Sequence, residues 1–321
     1  MLDPPFSLLS ADLVEYLVGE HVANSPIAKK DLHNLSLAHP AFTEVCQKYL
    51  FRTLTLGQAG TRSMISKRLT AVKRNLDDKP LLANRVRKID LFIEHKQNAW
   101  LFQNSTSEKP RRKDAAYAIT FVSILQLLAN SPIPPHKLHL YVAVYPIEHP
   151  VLVVERLSQS FFSETLTILH LTRCSNVPLP LFLLCPRLKE VCLDRVGAAE
   201  DGYDKYPEEQ CSGRVTPALE LFDYRSSQTV VKQMITPPRR FHTPVVLWSN
   251  LRVLTLCPHE REEIACLQSI LDAACTTLEE LYLTNLHVGI CKWSVFFFER
   301  QIKFDMSLNK MDTSSSHLLG L

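Results

Sequence analysis

Residues 166–193, LTILHLTRCSNVPLPLFLLCPRLKEVCL, open and close on the same hexad. Its first, fourth and sixth positions are apolar: Leu166, Leu169 and Leu171, then Leu188, Val191 and Leu193, with the two copies starting 22 residues apart. Side chains alternate along a strand with period two, so positions four and six share a face. Position one stands where the chain turns in, and all three side chains meet in one core. A period of about 20 to 29 residues suits a stack whose unit is one strand plus a helical or 3₁₀ return.

The hexad recurs as Phe51-Leu54-Leu56, Val86-Ile89-Leu91, Leu219-Phe222-Tyr224, Leu251-Leu254-Leu256 and Leu278-Leu281-Leu283, with a weaker run at Leu138-Leu140-Val142. One copy arises by chance in a leucine-rich chain, but seven at repeat-sized intervals point to a solenoid. The pattern resembles irregular leucine-rich repeats, and Cys174 stands at the Asn/Cys position of its unit. That resemblance implies an α/β fold, parallel strands backed by helices, over residues 53–290, with an edge and tail over 291–321. Strand positions that alternate outward are the expected target contacts, among them His170, Lys189, Arg252, Glu280 and Tyr282.

Composition narrows the function classes. With 46% hydrophobic and 21% charged residues, the chain reads as globular and able to bury a large core. A net charge of +3 is too small to call for nucleic acid or a membrane surface, and aromatic residues are not interleaved with the basic clusters. Eight glycines against twenty prolines speak against phosphate loops and for short elements stopped by proline. The nine cysteines fall mostly in apolar patterns, as buried thiols of a reducing compartment do. The start lacks a basic region followed by an apolar run, and the longest apolar stretches, Leu181 to Cys185 and Val295 to Phe298, fall far short of a span. A cytoplasmic or nuclear protein is expected.

Residues 1–52 read as three short helices. Ser10 caps the first, Ala11 to Val22, with Leu13, Val14, Leu17, Val18 and Val22 on one face. Ser25 and Pro26 start the second, which is lined by Leu32, Leu35 and Ala38. The third presents Phe42, Val45, Cys46, Tyr49 and Leu50. So small a bundle holds little core. Leu8, Leu9, Leu35, Leu37 and Phe42 exceed what it hides comfortably, and the surplus asks for the rest of the chain or a partner.

Leu9-Ser10-Ala11-Asp12-Leu13, then Asp31 through Ala38, then Phe42 and Cys46 through Phe51, resemble the F-box over about residues 6–52. The run Leu50-Phe51-Arg52-Thr53-Leu54-Thr55-Leu56 is similar to the transition into repeats of the F-box-like proteins expanded in mushroom-forming fungi. The resemblance implies a non-enzymatic substrate receptor of an SCF-type ubiquitin ligase. Leu9, Ser10, Asp12 and Leu13 would then contact a Skp-type adaptor, with Leu35, Leu37 and Phe42 in its apolar groove, while the repeats hold a target protein. Ser10 replaces the family's proline, so the turn into the first helix is capped and not pre-set. The alternative is a repeat scaffold without ligase coupling, its first helices closing the end of the stack.

Met64, Ile65, Leu69, Val72 and Leu76 predict a first return helix, and Ala115 to Ala129 a second with Ile119, Val122, Leu125 and Leu128 inside. Residues 198–217 are an acidic insertion, Pro237 to Arg240 a second, Lys109 to Lys113 an exposed basic loop, and Ile302-Phe304-Met306 a closing strand. Cys257, His259, Cys266 and Cys275 lack the paired spacing that closes a zinc site, and no nucleophile elbow or phosphate loop is present. No catalytic residue, metal ligand or cofactor is expected.

Overall fold

Ser10 stands in extended backbone, and its hydroxyl accepts the Leu13 amide at 3.3 Å to cap α1, Ala11–Tyr16. This is a computed structural model, and it describes residues 10–22, 28–57, 62–93, 112–142, 162–198, 215–236, 244–257, 261–283 and 303–305. A π-type turn, Leu17–Val22, continues the first helix. α2, Ala28–Ala38, is joined to α3, Pro40–Leu50, through His39, whose ring accepts the Ala41 amide at 3.1 Å. The Thr43 hydroxyl donates to the Ser36 carbonyl at 2.8 Å and closes that corner. Val14, Val18, Leu32, Phe42 and Cys46 form the bundle core, with Leu35, Val45, Tyr49 and Leu50 packed against it. The face predicted for the third helix is the one buried, whereas Ala38 of the second is exposed.

The chain divides into two compact units, residues 1–175 and 176–321. The first joins the helices to four parallel strands in chain order: β1 Thr53–Leu56, β2 Lys88–Ile93, β3 Lys137–Val142 and β4 Ile168–Thr172. Burial alternates along β2, β3 and β4 as period two demands, with Ile89, Leu91, Ile93, Leu138, Leu140, Val142, Leu169 and Leu171 inside. α4, Arg62–Asp78, and α5, Arg112–Ala129, back the sheet. α5 departs from its expected face. It buries Phe121, Ile124, Leu125 and Leu128 and leaves Ile119 and Val122 exposed, because the series led by Phe121 puts more apolar area on one side. Met64 of α4 is exposed for the same kind of reason, with Ile65, Leu69 and Leu76 filling the buried stripe.

A backbone ladder sets the register. The Arg52 carbonyl accepts the amides of Arg87 and Lys88, that of Arg87 those of His136 and Lys137, and that of His136 those of Thr167 and Ile168. These residues hold positions two and three of successive hexads. Arg52 thereby links the third helix to the repeats, as does Arg85, whose guanidinium donates to the Gln47 side chain at 2.9 Å. Helices and first repeats lie together in the compact unit of residues 1–175. Gly57 follows β1 at φ 78°, where a Cβ would strike the Phe92 carbonyl, so only glycine fits there.

The second unit repeats the plan: α6 Pro180–Leu183, β5 Glu190–Asp194, β6 Leu221–Arg225, α7 Gln228–Ile235, β7 Val253–Cys257, α8 Arg261–Ala274, β8 Glu280–Leu283 and β9 Lys303–Asp305. β5 to β9 are parallel and in chain order, and β9 supplies the closing strand expected near Phe304. Val177 through Cys185 are buried without a break. The ladder recurs, with the carbonyls of Lys189, Glu220 and Arg252 each accepting two amides from the next repeat. Leu8, Leu9, Ser25, Pro26, residues 109–111 of the basic run, most of the insertion 198–217, Pro237 to Arg240, Val295 to Phe298 and the last residues lie outside the described residues, whereas Arg112 and Lys113, expected in a loop, open α5. Among the described helices, none is long and apolar enough to cross a membrane.

Candidate functional site

The outward strand positions carry the polar chemistry of each unit. On the first, the register aligns Lys88 with Lys137 and Ile168, Asp90 with His139 and His170, and Phe92 with Tyr141 and Thr172. The centre is Asp90. Lys88 Nζ lies 2.8 Å from its Oδ1, and His139 Nδ1 lies 3.5 Å from the same oxygen. His139 Nε2 is 3.3 Å from the Thr172 hydroxyl, and its ring meets His170 edge-on at 5.9 Å. Phe92 packs at 6.0 Å from His139 and 5.6 Å from Tyr141. Arg173 donates to the Tyr141 hydroxyl at 3.2 Å, its guanidinium 5.7 Å from that ring centre, within cation–π range.

Two groups are tuned by this packing. Burial pushes the His170 imidazole down to about 4, helped by the charges of Lys137, His139 and Lys88 and opposed by Asp90, so the ring is neutral near pH 7. Partial burial raises the Asp90 carboxyl, but hydrogen bonds from His139 and Lys88 and the Lys88 charge outweigh it and hold Asp90 below its usual range. Lys137 and Arg173 form no ion pair with a described residue. The face thus offers cations and aromatic rings around one carboxylate that is already paired.

The second unit differs in charge. Lys189 pairs with Glu220 at 2.7 Å, and Arg252 makes a two-bond pair with Glu279 at 2.8 Å. That pair holds Arg252 above and Glu279 below their ordinary values through mutual hydrogen bonding. The Tyr282 hydroxyl donates to Glu280 Oε2 at 2.5 Å, and Arg225 lies 3.4 Å from Asp223. Arg252 and Glu279 also border an open cleft of about 620 Å³ with Glu220, Asn250, Thr276 and Thr277. Within it Arg252 and Glu279 are paired with each other. Among the described residues no group of His, Cys, Asp and Glu could hold a metal ion.

Of the expected target contacts, His170 belongs to the first face, and Lys189, Arg252, Glu280 and Tyr282 to the second unit. The expected adaptor contacts separate. Ser10 is the cap, and Asp12 is exposed. Leu13 is 43% and Leu37 73% exposed, joined by Tyr16 at 60%. Leu35 is half-buried, and Phe42, at 6%, is taken into the bundle core. An aromatic side chain is the largest filler such a small bundle has, and its own core claims it first. Leu9 lies outside the described residues.

Asp90, His139, Phe92 and Tyr141 were missed from sequence. The run at Leu138 read as weak because its first position is Pro135, and Pro135 is buried like the leucines elsewhere. Counting proline as apolar would have given that hexad full weight. The strands, helical returns and faces define a solenoid-like α/β protein with parallel strands backed by helices. No protein-family model matches the chain, and no curated protein is significantly similar to it in sequence.

Proposed function

We propose that the protein is a non-catalytic interaction adaptor, a substrate receptor of an SCF-type ubiquitin ligase. In this reading the first helices dock a Skp-type subunit and the outward strand faces hold a target protein. One observation carries it: the bundle core is complete without Leu13, Tyr16, Leu17 and Leu37, which remain exposed. Burying one such leucine is worth about 1.5 to 3 kcal/mol, so a second polypeptide gains by covering them. The adaptor then works by proximity, raising the effective concentration of target lysines near a charged conjugating enzyme.

A second reading, a scaffold whose helices only close the stack, draws on the Arg85–Gln47 bond and the Arg52 carbonyl, which tie the bundle to the repeats. Co-purification with a fungal Skp-type protein separates the two. Leu13→Asp with Leu37→Asp is expected to weaken capture by roughly 100-fold or more while the thermal unfolding midpoint holds. Wild-type protein that is folded yet captures no Skp-type subunit, or capture indifferent to both substitutions, defeats the adaptor reading. Phe42 is unsuitable for the test because its side chain belongs to the bundle core, so a substitution there changes the fold's own packing.

A further inference from the structure

The first unit's outward face has a chemistry that selects its occupant. We infer that the outward face of β2–β4 binds an acidic, hydroxyl-bearing peptide segment of a protein partner. The inference rests on the reading of the strand faces as the target-binding surface and names the chemistry of that target. Four observations carry it.

The first is charge. The outward positions of these three strands hold Lys88 and Lys137 against a single carboxylate, Asp90, and Arg173 stands at the exit of β4. Asp90 is already engaged by Lys88 at 2.8 Å, so it does not neutralise Lys137 or Arg173. The second is the rings. Phe92 and Tyr141 lie side by side at 5.6 Å and give an extended peptide an apolar floor. The third is the acceptors. His170 is neutral and Asp90 ionised, so hydrogen-bond acceptors stand among the cations. A peptide supplies both carboxylates for the cations and N–H or O–H donors for the acceptors. A phosphodiester backbone is rich in acceptors and poor in donors, so it leaves these acceptors unmatched. The fourth is scale. Adjacent strands are about 4.8 Å apart, so the face accepts a handful of extended residues, a short segment and not a long duplex.

The test uses the full chain and labelled peptides of roughly a dozen residues, read by fluorescence anisotropy. One peptide alternates Glu and Ser, a second replaces Glu with Gln, and a uridine oligonucleotide of equal charge is the third probe. The Glu/Ser peptide is expected to bind at least about tenfold more tightly than the Gln/Ser peptide, and to weaken as salt rises. Lys137→Glu is expected to remove most of that preference, whereas Lys67→Glu on the exposed face of α4 leaves it within about twofold. Arg173→Asn, which suits the left-handed backbone at that residue, provides a second variant with unchanged fold, checked by circular dichroism.

Tighter binding of the oligonucleotide overturns the inference, as does equal loss from Lys67→Glu and Lys137→Glu. Equal binding of both peptides, each weakened by Tyr141→Ala, leaves a protein-binding face and refutes only the charge preference. No binding of either peptide counts against the preference and against the face as a target site, while capture of a Skp-type subunit through Leu13 and Leu37 is judged separately.

Discussion

His170 shows how one residue's surroundings become a measurable property of the fold. Its folded-state value of about 4 lies below the ordinary 6.5, so between those values the unfolded chain binds the proton more readily. The contribution is fully present above pH 6.5 and is lost as pH falls towards 4, by on the order of 3 kcal/mol at most. Asp90, held low, adds its loss in more acid solution, as pH falls through its depressed value. Urea unfolding from pH 7 to 4.5 should therefore show falling stability, and His170→Gln should flatten that slope. A slope unchanged in the variant would place the titration elsewhere. His170 was legible as an outward strand residue, because the hexad fixes which positions face out. Its depressed titration was not, since it depends first on burial and then on the charges of Lys137, His139 and Lys88 from neighbouring strands. For Phe42, helical spacing marked an apolar face but did not say how deeply the bundle core would take the ring.

The strand with its exit turn is the repeating element, and its corner has a fixed design. Arg173, Arg195 and Ser226 each hold the eighth position of their repeats, and all three are left-handed, at φ 56°, 55° and 47°. The next residue then points inward, as Cys174, Val196 and Ser227, all buried. The Cys174 thiol lies 3.8 Å from the Leu140 carbonyl and 3.5 Å from that of Thr172, and burial pushes it up to about 12. It is a buried thiol at the turn that leaves β4. Ser227 does the same work with a hydroxyl, accepting the Val196 amide at 3.0 Å and donating to the Arg225 carbonyl at 2.8 Å. Ser227→Ala orphans that buried amide and should cost about 1 to 3 kcal/mol in urea unfolding. Ser227→Cys, which copies Cys174, should recover part of it. A loss below about 0.5 kcal/mol for the alanine variant would show that water serves the amide instead. The hexads made the strands legible because their period is rigid. The left-handed corner was hidden, since arginine and serine carry no signal for it where glycine or asparagine would.

At the scale of the molecule, the division at residues 175 and 176 falls inside the stretch where the repeat pattern is most regular. Identical hexads stand on both sides of it, so periodicity could not reveal it. Compactness depends on which side chains meet, and the pattern records only which face they share. In stacked repeats stability is close to a sum of local terms and nearest-neighbour interfaces. Phe222 is a strong probe of that rule. It is fully buried, stacks on Tyr224 at 6.1 Å and meets Trp248 edge-on at 5.1 Å, on a strand paired with β5 and β7. Phe222→Ala should cost about 3 to 5 kcal/mol through lost burial and a residual cavity. Hydrogen exchange read by mass spectrometry should then accelerate across Glu190–Asp194, Leu221–Arg225 and Val253–Cys257, while α2, α3, β2 and β3 keep their protection. Uniform acceleration through both units would mean that the chain unfolds as one cooperative block, and the additive account of its repeats would have to be abandoned.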